Sequence, residues 1–475
     1  MTWQTIPEMV LSAAGRFGGA EAVVDGPLRL TFTELADRVR TAAGAFAALG
    51  IEKGDRAAIW APNSAEWIIA AFGLLTAGGV LVPVNTRFKA DEAADIITRS
   101  GARAVLVQKG FLGLDHAGPP DVPVIDLKSG FLEGGRPLER KVGGDDVCDI
   151  VFTSGTTGRP KGVMMTHAQT LRAYTDWANL VGLREGDRYL IVNPFFHIFG
   201  YKAGCIASLI RGATILPMPV FDTGRLLELV ERERVTVLPG PPTLYHSLLS
   251  AGGALDLSSL RLAVTGAADI PVELIRRIRK ELPFQSIFTG YGLTEAGTVT
   301  LSRPGDSLED IATTVGAACE GFEVRIADDG EVLVRGYGVM RGYLDDPAAT
   351  AEAIDPGGWL HTGDLGTLDD RGRLRIVGRK KDMFIVGGFN AYPAEIEGFL
   401  LEHPAVAHVA VIGVPDERLG QVGKAFVVPV HPVAAEDLIA WSRERMAGFK
   451  VPRYVEFLDE LPLNATGKVM KDRLR

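Results

Sequence analysis

The chain has 475 residues, a formal net charge of -9, and 47% hydrophobic and 23% charged residues. Its length predicts about two to four folding units, and its composition is typical of a globular protein rather than a disordered or fibrous one. The acidic balance disfavours nucleic-acid binding, because the densest basic cluster is the short segment GRKKD at 378–382. Cys148, Cys205 and Cys319 are isolated, which fits a reducing compartment and excludes a disulfide framework or a cysteine zinc site.

The N-terminal region carries no recognisable targeting or membrane signal. The first ten residues, MTWQTIPEMV, lack a basic segment followed by a continuous apolar one, so we expect no secretion and a cytoplasmic location. An uncharged stretch between Glu66 and Arg87 has the length of a membrane helix. Its internal Gly-Gly and Val-Pro-Val sequences instead predict a buried helix, a turn and a short strand.

Short apolar runs alternate with helical patterns along the chain. Helices are predicted at 33–49, 223–233 and 271–281. The strand-like runs are RAAIWA, GGVLVPV, ARAVLVQ, TVLPG, LRLAVTG and QSIFTGYG. This alternation predicts an α/β fold with mostly parallel sheets, crossover helices and functional loops at the carboxyl ends of the strands.

A domain boundary is predicted near residue 379. The preceding segment, GWLHTGDLGTLDDRGRLRIVGR, has the pattern of short strands joined by a turn, and a new α/β pattern follows it. We therefore expect a large N-terminal domain over 1–378 and a small C-terminal α/β domain over 379–475.

A loop rich in glycine and hydroxyl residues lies in the segment FTSGTTGRPKGVMMTH, residues 152–167. Glycines let backbone N–H groups converge, and hydroxyls and a lysine add donors and charge, so this composition predicts an oxyanion site. The loop is not a Walker loop, because Arg159 and Pro160 follow Gly158, and Gly162 follows Lys161.

Five motifs follow one another along the chain: TSGTTGRPKG (153–162), YGLTE (291–295), WLHTGD (359–364), GRKKDMFIVGGFNAYPAEIE (378–397) and NATGK (464–468). Together they resemble the motifs of the adenylate-forming superfamily, which includes acyl-CoA synthetases, firefly luciferase and peptide-synthetase adenylation domains. The resemblance extends over essentially the whole chain. It implies that a carboxylate attacks the α-phosphate of ATP, that pyrophosphate leaves, and that the acyl group then passes to a thiol.

The resemblance implies an ATP site built from several of these motifs. The β- and γ-phosphates and the departing pyrophosphate are expected at Thr153, Ser154, Gly155, Thr156, Thr157, Gly158 and Lys161. The adenine is expected at Ala267, Ala268, Gly290, Tyr291 and Gly292, although the sequence TGAAD departs from the commoner family pattern at the two alanines. Thr294 is expected on the α-phosphate, Glu295 on magnesium, and Asp364 and Arg379 on the ribose.

Two anions must meet in such a reaction, and Lys468 is expected to lie between them. At about 4 Å two like charges repel by several kcal/mol at an effective dielectric near 20, so a bridging cation is required. The resemblance also implies a hinge at Lys381. It implies a passage for coenzyme A along Gly387, Gly388 and Phe389, where glycine lets the pantetheine arm approach the backbone.

The acid is expected to bind to mostly apolar and aromatic side chains. The candidates are Phe196, His197, Phe199, Tyr201, Pro241 and Leu244, which suit an alkyl or ring-bearing acid. His197, also a candidate catalytic residue, lies where amino-acid-activating relatives usually have an aspartate, so an amino-acid substrate is disfavoured.

The sequence therefore predicts an ATP-dependent, AMP-forming acid–CoA ligase that uses ATP, Mg²⁺ and coenzyme A. The acid is expected to be a fatty acid or a propionate derived from steroid-ring breakdown. The alternatives are an enzyme that loads a separate carrier protein, a malonyl-type CoA ligase, and a luciferase-type oxygenase. A non-catalytic adenylate-binding protein is disfavoured because Thr294, Glu295 and Lys468 are all present. We expect no nucleic-acid partner and no transmembrane segment.

Overall fold

The computed structural model describes residues 3–113, 116, 118–153, 159–250, 255–266, 272–464 and 468–474. Several helices begin at capping boxes, as at Thr5, Thr31 and Thr166, where the side-chain oxygen accepts from the backbone three residues on. The α-helices are α1 Ile6–Phe17, α2 Phe32–Ala48, α3 Ala65–Thr76, α4 Ala90–Arg99, α5 His167–Leu180, α6 Ala207–Arg211, α7 Thr223–Glu233, α8 Pro242–Ser250, α9 Val272–Glu281, α10 Leu308–Thr313, α11 Pro347–Ala353, α12 Pro393–Leu401 and α13 Ala435–Arg443. A π-helix spans Phe199–Ile206.

The strands fall into mixed sheets with short connections. The first half of the chain contains β1 Glu21–Asp25, β2 Leu28–Thr31, β3 Arg56–Trp60, β4 Val80–Pro83, β5 Ala102–Val107, β6 Val124–Asp126, β7 Val147–Thr153, β8 Lys161–Thr166, β9 Arg188–Ile191 and β10 Thr214–Pro217. The second half contains β11 Leu262–Gly266, β12 Ser286–Leu293, β13 Gly297–Leu301, β14 Ala317–Ala318, β15 Phe322–Ile326, β16 Glu331–Gly336, β17 Gly342–Tyr343, β18 Leu360–Leu368, β19 Leu374–Arg379, β20 Phe384–Val386, β21 Phe389–Ala391, β22 Val406–Asp416, β23 Gly420–Pro429 and β24 Tyr454–Phe457.

Two sheets are mostly parallel and contain the predicted strands. One has the order β17-β8-β7-β4-β3-β5-β6 and is parallel from β7 to β6. The other joins β2-β1-β10-β9 to β11-β12-β13-β14 through parallel bridges at Val237 and Gly240. The predicted strand TVLPG is thus a bridging segment with isolated pairs rather than a regular strand, and the α/β fold is confirmed.

Two further sheets are largely antiparallel. The strands β15-β16-β18-β19 form one of them, and the predicted turn DDRG connects β18 to β19. The other contains β21-β20-β23-β22 with β24 parallel to β23. The strands from β20 onward pack with α12 and α13 around a hydrophobic core of their own, centred on Phe384, Ile396 and Val411.

The apolar stretch between Glu66 and Arg87 folds as predicted into a buried helix, a turn and a strand. It forms α3 and β4, and almost every residue of both is buried inside the protein. Among the described residues, no helix has both the length and the apolar composition needed for a membrane span. The predicted helices at 33–49, 223–233 and 271–281 correspond to α2, α7 and α9 within one residue at each end.

Candidate active site

Several of the predicted site residues end or follow strands of the two mostly parallel sheets. Thr153 is the last residue of β7, His197 follows β9, and Thr294 and Glu295 follow β12. Ligands of open α/β sheets bind outside the carboxyl ends of the strands. The fold therefore brings motifs that are far apart in the sequence to the same part of the molecule.

Glu295 lies at the centre of a polar cluster. Its Oε1 accepts hydrogen bonds from Tyr343 Oη at 3.1 Å and from Thr153 Oγ1 at 3.5 Å. Burial raises the pKa of the Glu295 carboxyl, and the hydrogen bond from Tyr343 acts in the opposite direction. A half-buried carboxylate beside the phosphate loop fits a hard cation that takes its other ligands from phosphate and water.

Lys161, the charged residue of the phosphate loop, is the first residue of β8. Its Nζ lies 5.0 Å from the centroid of the Tyr343 ring. Tyr343 thus contacts both Lys161 and Glu295, and the sequence analysis did not identify it. No motif indicates its role, because that role depends on pairing between β17 and β8, far apart in the chain.

The two predicted ribose residues also lie together. Asp364 is 4% exposed, its Oδ1 lies 3.0 Å from Arg379 Nε, and its Oδ2 accepts from Tyr291 Oη at 2.6 Å. Burial and the Asp364 charge raise the pKa of Tyr291, which therefore remains a donor at neutral pH. The pairing of β18 with β19 places Asp364 directly opposite Arg379.

Strand pairing gives Gly290 and Gly292 a role that is independent of a bound base. A Cβ added at Gly292 would lie 2.4 Å from the Gly297 carbonyl oxygen, and one at Gly290 would lie 2.8 Å from the Leu301 side chain. Both residues belong to β12, which pairs with β13 at this point. The close approach of the two strands therefore requires glycine at Gly292, whereas the nearest atom at Gly290 belongs to a leucine side chain that can move.

The positive charge of Lys468 acts on His197. Burial, with a further contribution from the positive charge of Lys468, lowers the pKa of His197 to about 4. The imidazole is therefore neutral at physiological pH. Asn464 Oδ1 accepts the backbone N–H of Lys468 at 2.9 Å, which holds Lys468 beside Asn464.

The acid-pocket candidates separate into two groups. Phe196, His197, Phe199 and Pro241 are partly exposed, and His197 Nδ1 accepts the Phe199 backbone N–H at 3.2 Å. Tyr201 and Leu244, also expected in the pocket, are 0% and 2% exposed and lie in hydrophobic cores. The Tyr201 ring packs 5.6 Å from Trp67, so this side chain contributes to the core in the present conformation.

The predicted coenzyme A loop and hinge are both at the surface. Gly387 and Gly388 have φ values of 56° and 91°, in the left-handed region that favours glycine. Phe389 is 61% exposed, and its ring stacks on Phe449 at a centroid distance of 5.1 Å. Lys381 lies in the exposed turn between β19 and β20.

A buried ion pair that the sequence analysis missed lies beneath the site. Lys202 Nζ is 2.8 Å from Asp149 Oδ1, and the two side chains are 1% and 0% exposed. Lys202 Nζ also donates to Thr170 Oγ1 at 3.3 Å, and Cys148 Sγ donates to Asp149 Oδ2 at 3.0 Å. The pair links β7, which ends at Thr153, to the π-helix that follows His197.

Some predicted contacts fall on parts of the chain that the structure does not describe. They are the loop residues Ser154, Gly155, Thr156, Thr157 and Gly158 and the adenine candidates Ala267 and Ala268. Within the described ranges, no three His, Cys, Asp or Glu side chains form a cluster that could hold a metal. A single carboxylate at Glu295 is nevertheless the donor set that Mg²⁺ uses when substrate phosphates complete its shell.

Comparison with known proteins identifies the class. The AMP-binding enzyme family matches residues 11–344, and the family of AMP-binding enzyme C-terminal domains matches residues 395–468. The chain belongs to the AMP-binding enzyme family, which is the adenylate-forming superfamily that its motifs resemble. Within that superfamily it is an AMP-forming acyl-CoA ligase, whose substrates are a carboxylic acid, ATP and coenzyme A.

Three proteins to which this chain is similar are CoA ligases or synthetases. Two are named 3-[(3aS,4S,7aS)-7a-methyl-1,5-dioxo-octahydro-1H-inden-4-yl]propanoyl:CoA ligase. The one from Rhodococcus jostii is 48% identical, with 99% of this chain and 98% of that protein covered, and the one from Mycobacterium tuberculosis is 49% identical with the same coverage. The structure of Bacillus subtilis o-succinylbenzoate CoA synthetase with ATP and magnesium superposes with a TM-score of 0.88, at 32% identity and with 98% of both chains covered.

Proposed function

We propose that this ligase activates a propanoic acid attached to a fused indane ring system, such as a fragment of steroid-ring breakdown. One observation carries the proposal: two ligases named for that acyl group share nearly half of their residues with this chain over 99% of its length. The partly exposed Phe196, Phe199 and Pro241 agree with an apolar, ring-bearing acid. We further propose that the enzyme acts in the cytoplasm, since its cysteines are free.

The first half-reaction makes an acyl-adenylate. The carboxylate oxygen forms a bond to the α-phosphorus as the bond to pyrophosphate breaks. Lys468, near His197, reduces the repulsion between the carboxylate and the α-phosphate. Thr294 donates to the α-phosphate, and Lys161 neutralises charge on the departing pyrophosphate.

Glu295 is assigned to the metal that accompanies ATP. Magnesium would supply positive charge that stabilises the phosphate oxygens. Thr153 and Tyr343 both donate to the Glu295 carboxylate and hold it near the phosphate loop. Asp364 and Arg379, joined at 3.0 Å, are assigned to the ribose.

The second half-reaction passes the acyl group to the thiol of coenzyme A. A carbon–sulfur bond forms as the carbon–oxygen bond to AMP breaks. Gly387, Gly388 and Phe389 are assigned to this thiol, and Lys381 to the hinge between domains 1–378 and 379–475. In the present structure the charge of Lys468 acts on His197 and Phe389 is largely exposed, an arrangement that suits adenylation, so rotation about the hinge would bring the glycine loop inward.

The test is a pyrophosphate-release assay with a panel of acids, each with and without coenzyme A. The panel contains the indane propanoic acid, octanoic acid, ferulic acid and malonic acid. We expect kcat/KM for the indane acid to exceed the others by at least about tenfold, the scale set by mismatched apolar volume in a pocket. Equal or higher kcat/KM for octanoic acid would refute the proposed acid, and thioester formation only with a pantetheinylated carrier protein would refute the proposed acceptor.

A further inference from the structure

Tyr343 occupies a position between two residues of the phosphate site. Its hydroxyl donates to Glu295 Oε1 at 3.1 Å, while the ring centroid lies 5.0 Å from Lys161 Nζ. The Tyr343 hydroxyl therefore contacts Glu295, which is assigned to the metal, and the Tyr343 ring contacts Lys161, which is assigned to the phosphates.

The backbone holds Tyr343 against both neighbours. The strand β17 pairs with β8, whose first residue is Lys161, and the Leu344 backbone N–H donates to the Gly162 carbonyl at 2.8 Å. Two residues before β17, the Met340 backbone N–H donates to the Glu295 carbonyl at 2.7 Å. The short segment that contains Tyr343 is therefore hydrogen-bonded through its backbone to Glu295 and to Gly162, which follows Lys161.

The chemistry of the two contacts is complementary. An ordinary tyrosine hydroxyl has a pKa of about 10 and is therefore protonated at neutral pH, and this one donates to Glu295. A hydrogen bond to an ionised carboxylate fixes the direction of its lone pairs. The face of an aromatic ring carries partial negative charge and attracts an ammonium group within about 6 Å of its centroid.

We propose that Tyr343 is a positioning residue for magnesium–ATP: its hydroxyl orients Glu295 towards the metal, and its ring holds Lys161 towards the phosphates. This inference rests on the proposed roles of Glu295 and Lys161. Tyr343 itself need not touch the substrate, because both of its contacts act through other residues.

Two substitutions separate the two contacts. Tyr343→Phe keeps the ring and removes the hydroxyl, so the Mg²⁺ concentration for half-maximal pyrophosphate release should rise about three- to tenfold, the scale of one typical intramolecular hydrogen bond. The affinity for ATP without Mg²⁺ should stay within about twofold, because the contact with Lys161 remains. Tyr343→Leu removes both contacts, so ATP affinity without Mg²⁺ should also fall about two- to fivefold.

The chain offers a matched control at Tyr337. Its hydroxyl donates to Asp176 Oδ2 at 2.8 Å, and the Arg172 guanidinium lies 3.8 Å from its ring centroid. Tyr337→Phe therefore removes the same kind of hydrogen bond beside the same kind of cation, but away from the assigned phosphate residues. We expect its Mg²⁺ response and ATP affinity to stay within about twofold of the unmodified enzyme.

The experiment combines calorimetric titration of ATP, with and without Mg²⁺, with pyrophosphate release over a range of Mg²⁺ concentrations. Support requires a changed Mg²⁺ response in Tyr343→Phe and a further loss of metal-free ATP affinity in Tyr343→Leu. The inference is overturned if Tyr343→Phe responds to Mg²⁺ as the unmodified enzyme does, or if it loses metal-free ATP affinity as fully as Tyr343→Leu. Because phenylalanine keeps the packed volume, Tyr343→Phe decides the question even if the leucine variant unfolds.

The same experiment separates this inference from the proposed function. If the unmodified enzyme binds ATP but releases no pyrophosphate with any acid, the proposed function fails. The calorimetric comparison between Tyr343→Phe and Tyr337→Phe then still measures whether Tyr343 orders the metal site. If pyrophosphate release is normal and only the variant comparison fails, Tyr343 loses its assigned role and the ligase assignment stands.

Discussion

Replacing Lys202 by methionine is expected to destabilise the protein strongly, although neither Lys202 nor Asp149 is assigned a contact with a substrate. The substitution keeps an unbranched side chain of similar length and removes the ammonium. Asp149 would then be left 0% exposed without its cation, which is 2.8 Å away in the native protein. A buried carboxylate in that position has lost the interaction that offsets its removal from water.

The magnitude follows from the geometry. At 2.8 Å Coulomb's law gives an attraction of about 6 kcal/mol at an effective dielectric near 20. Rearrangement and the remaining hydrogen bond from Cys148 reduce the net effect, so we expect Lys202→Met to lower the free energy of unfolding by about 3–5 kcal/mol. Asp149→Asn should cost a similar amount, because it leaves the ammonium buried.

The assay is urea-induced unfolding followed by tryptophan fluorescence, applied to both single variants and to the double variant. The double variant should lose at least about 2 kcal/mol less than the sum of the single losses, since neither uncompensated charge remains. Glu323→Gln is the control, because it breaks an ion pair whose two side chains are 43% and 61% exposed. An exposed pair is screened by water, so the unfolding midpoint should not change measurably.

The reasoning is refuted if Lys202→Met and Asp149→Asn each cost no more than the Glu323→Gln control. It is also refuted if the losses add in the double variant, because additivity would mean that the two charges do not interact. A loss of activity in folded variants would show in addition that the pair holds β7 and the π-helix in register for catalysis.

Three further predictions concern the reaction and its pH dependence. Lys468→Ala should reduce adenylation by about 10²–10⁴-fold, the scale of one preorganised charge, yet convert a supplied acyl-adenylate to acyl-CoA; single-turnover measurements of each half-reaction test this, and equal loss of both contradicts it. Lys381→Pro should leave pyrophosphate release largely intact and slow thioester formation from the same adenylate, because proline fixes φ at the hinge; unchanged thioester formation in single turnovers would place the hinge elsewhere. Burial lowers the pKa of both His167 and His197 from 6.5 to about 4, so the unfolded chain binds more protons in this interval and the free energy of unfolding should fall as pH falls from 6.5 to 4. Urea titrations at each pH should show a weaker fall for His167→Gln, and an equal fall would contradict the assignment.

The sequence predicted those candidate site residues that belong to recognisable local motifs. Thr153 and Lys161 belong to a single motif, and Asp364 and Arg379 lie opposite each other in one hairpin, β18–β19. The composition of the first motif, with glycine, hydroxyl groups and a charge, predicts an oxyanion site directly, whereas the ribose roles of Asp364 and Arg379 are implied by the resemblance. The fold class was predictable for the same reason, because apolar runs and helical periods are local signals.

The parts that were missed depend on tertiary contacts between distant segments. Tyr343 reaches Glu295 and Lys161 only because β17 pairs with β8. Asp149 and Lys202 each interrupt an apolar run, CDIVF and YKAGC, and a charge in such a run was the available signal for a buried pair. Tyr201 was expected to line the pocket and lies in a hydrophobic core, because an aromatic residue has the same sequence pattern in a pocket wall as in a core.

The contacts on either side of Lys381 bear on where the proposed hinge could bend. Lys380 Nζ is bound to Asp329 at 2.7 Å and to Glu331 at 3.2 Å, and its backbone N–H donates to the Gly363 carbonyl. The chain up to residue 380 is therefore attached to the sheet that contains β16 and β18. From β20 onward the side chains belong to a separate core. Only residues 381–383 lie between these two attachments, so a rotation of the C-terminal part must change backbone angles within three residues or break the ion pairs of Lys380.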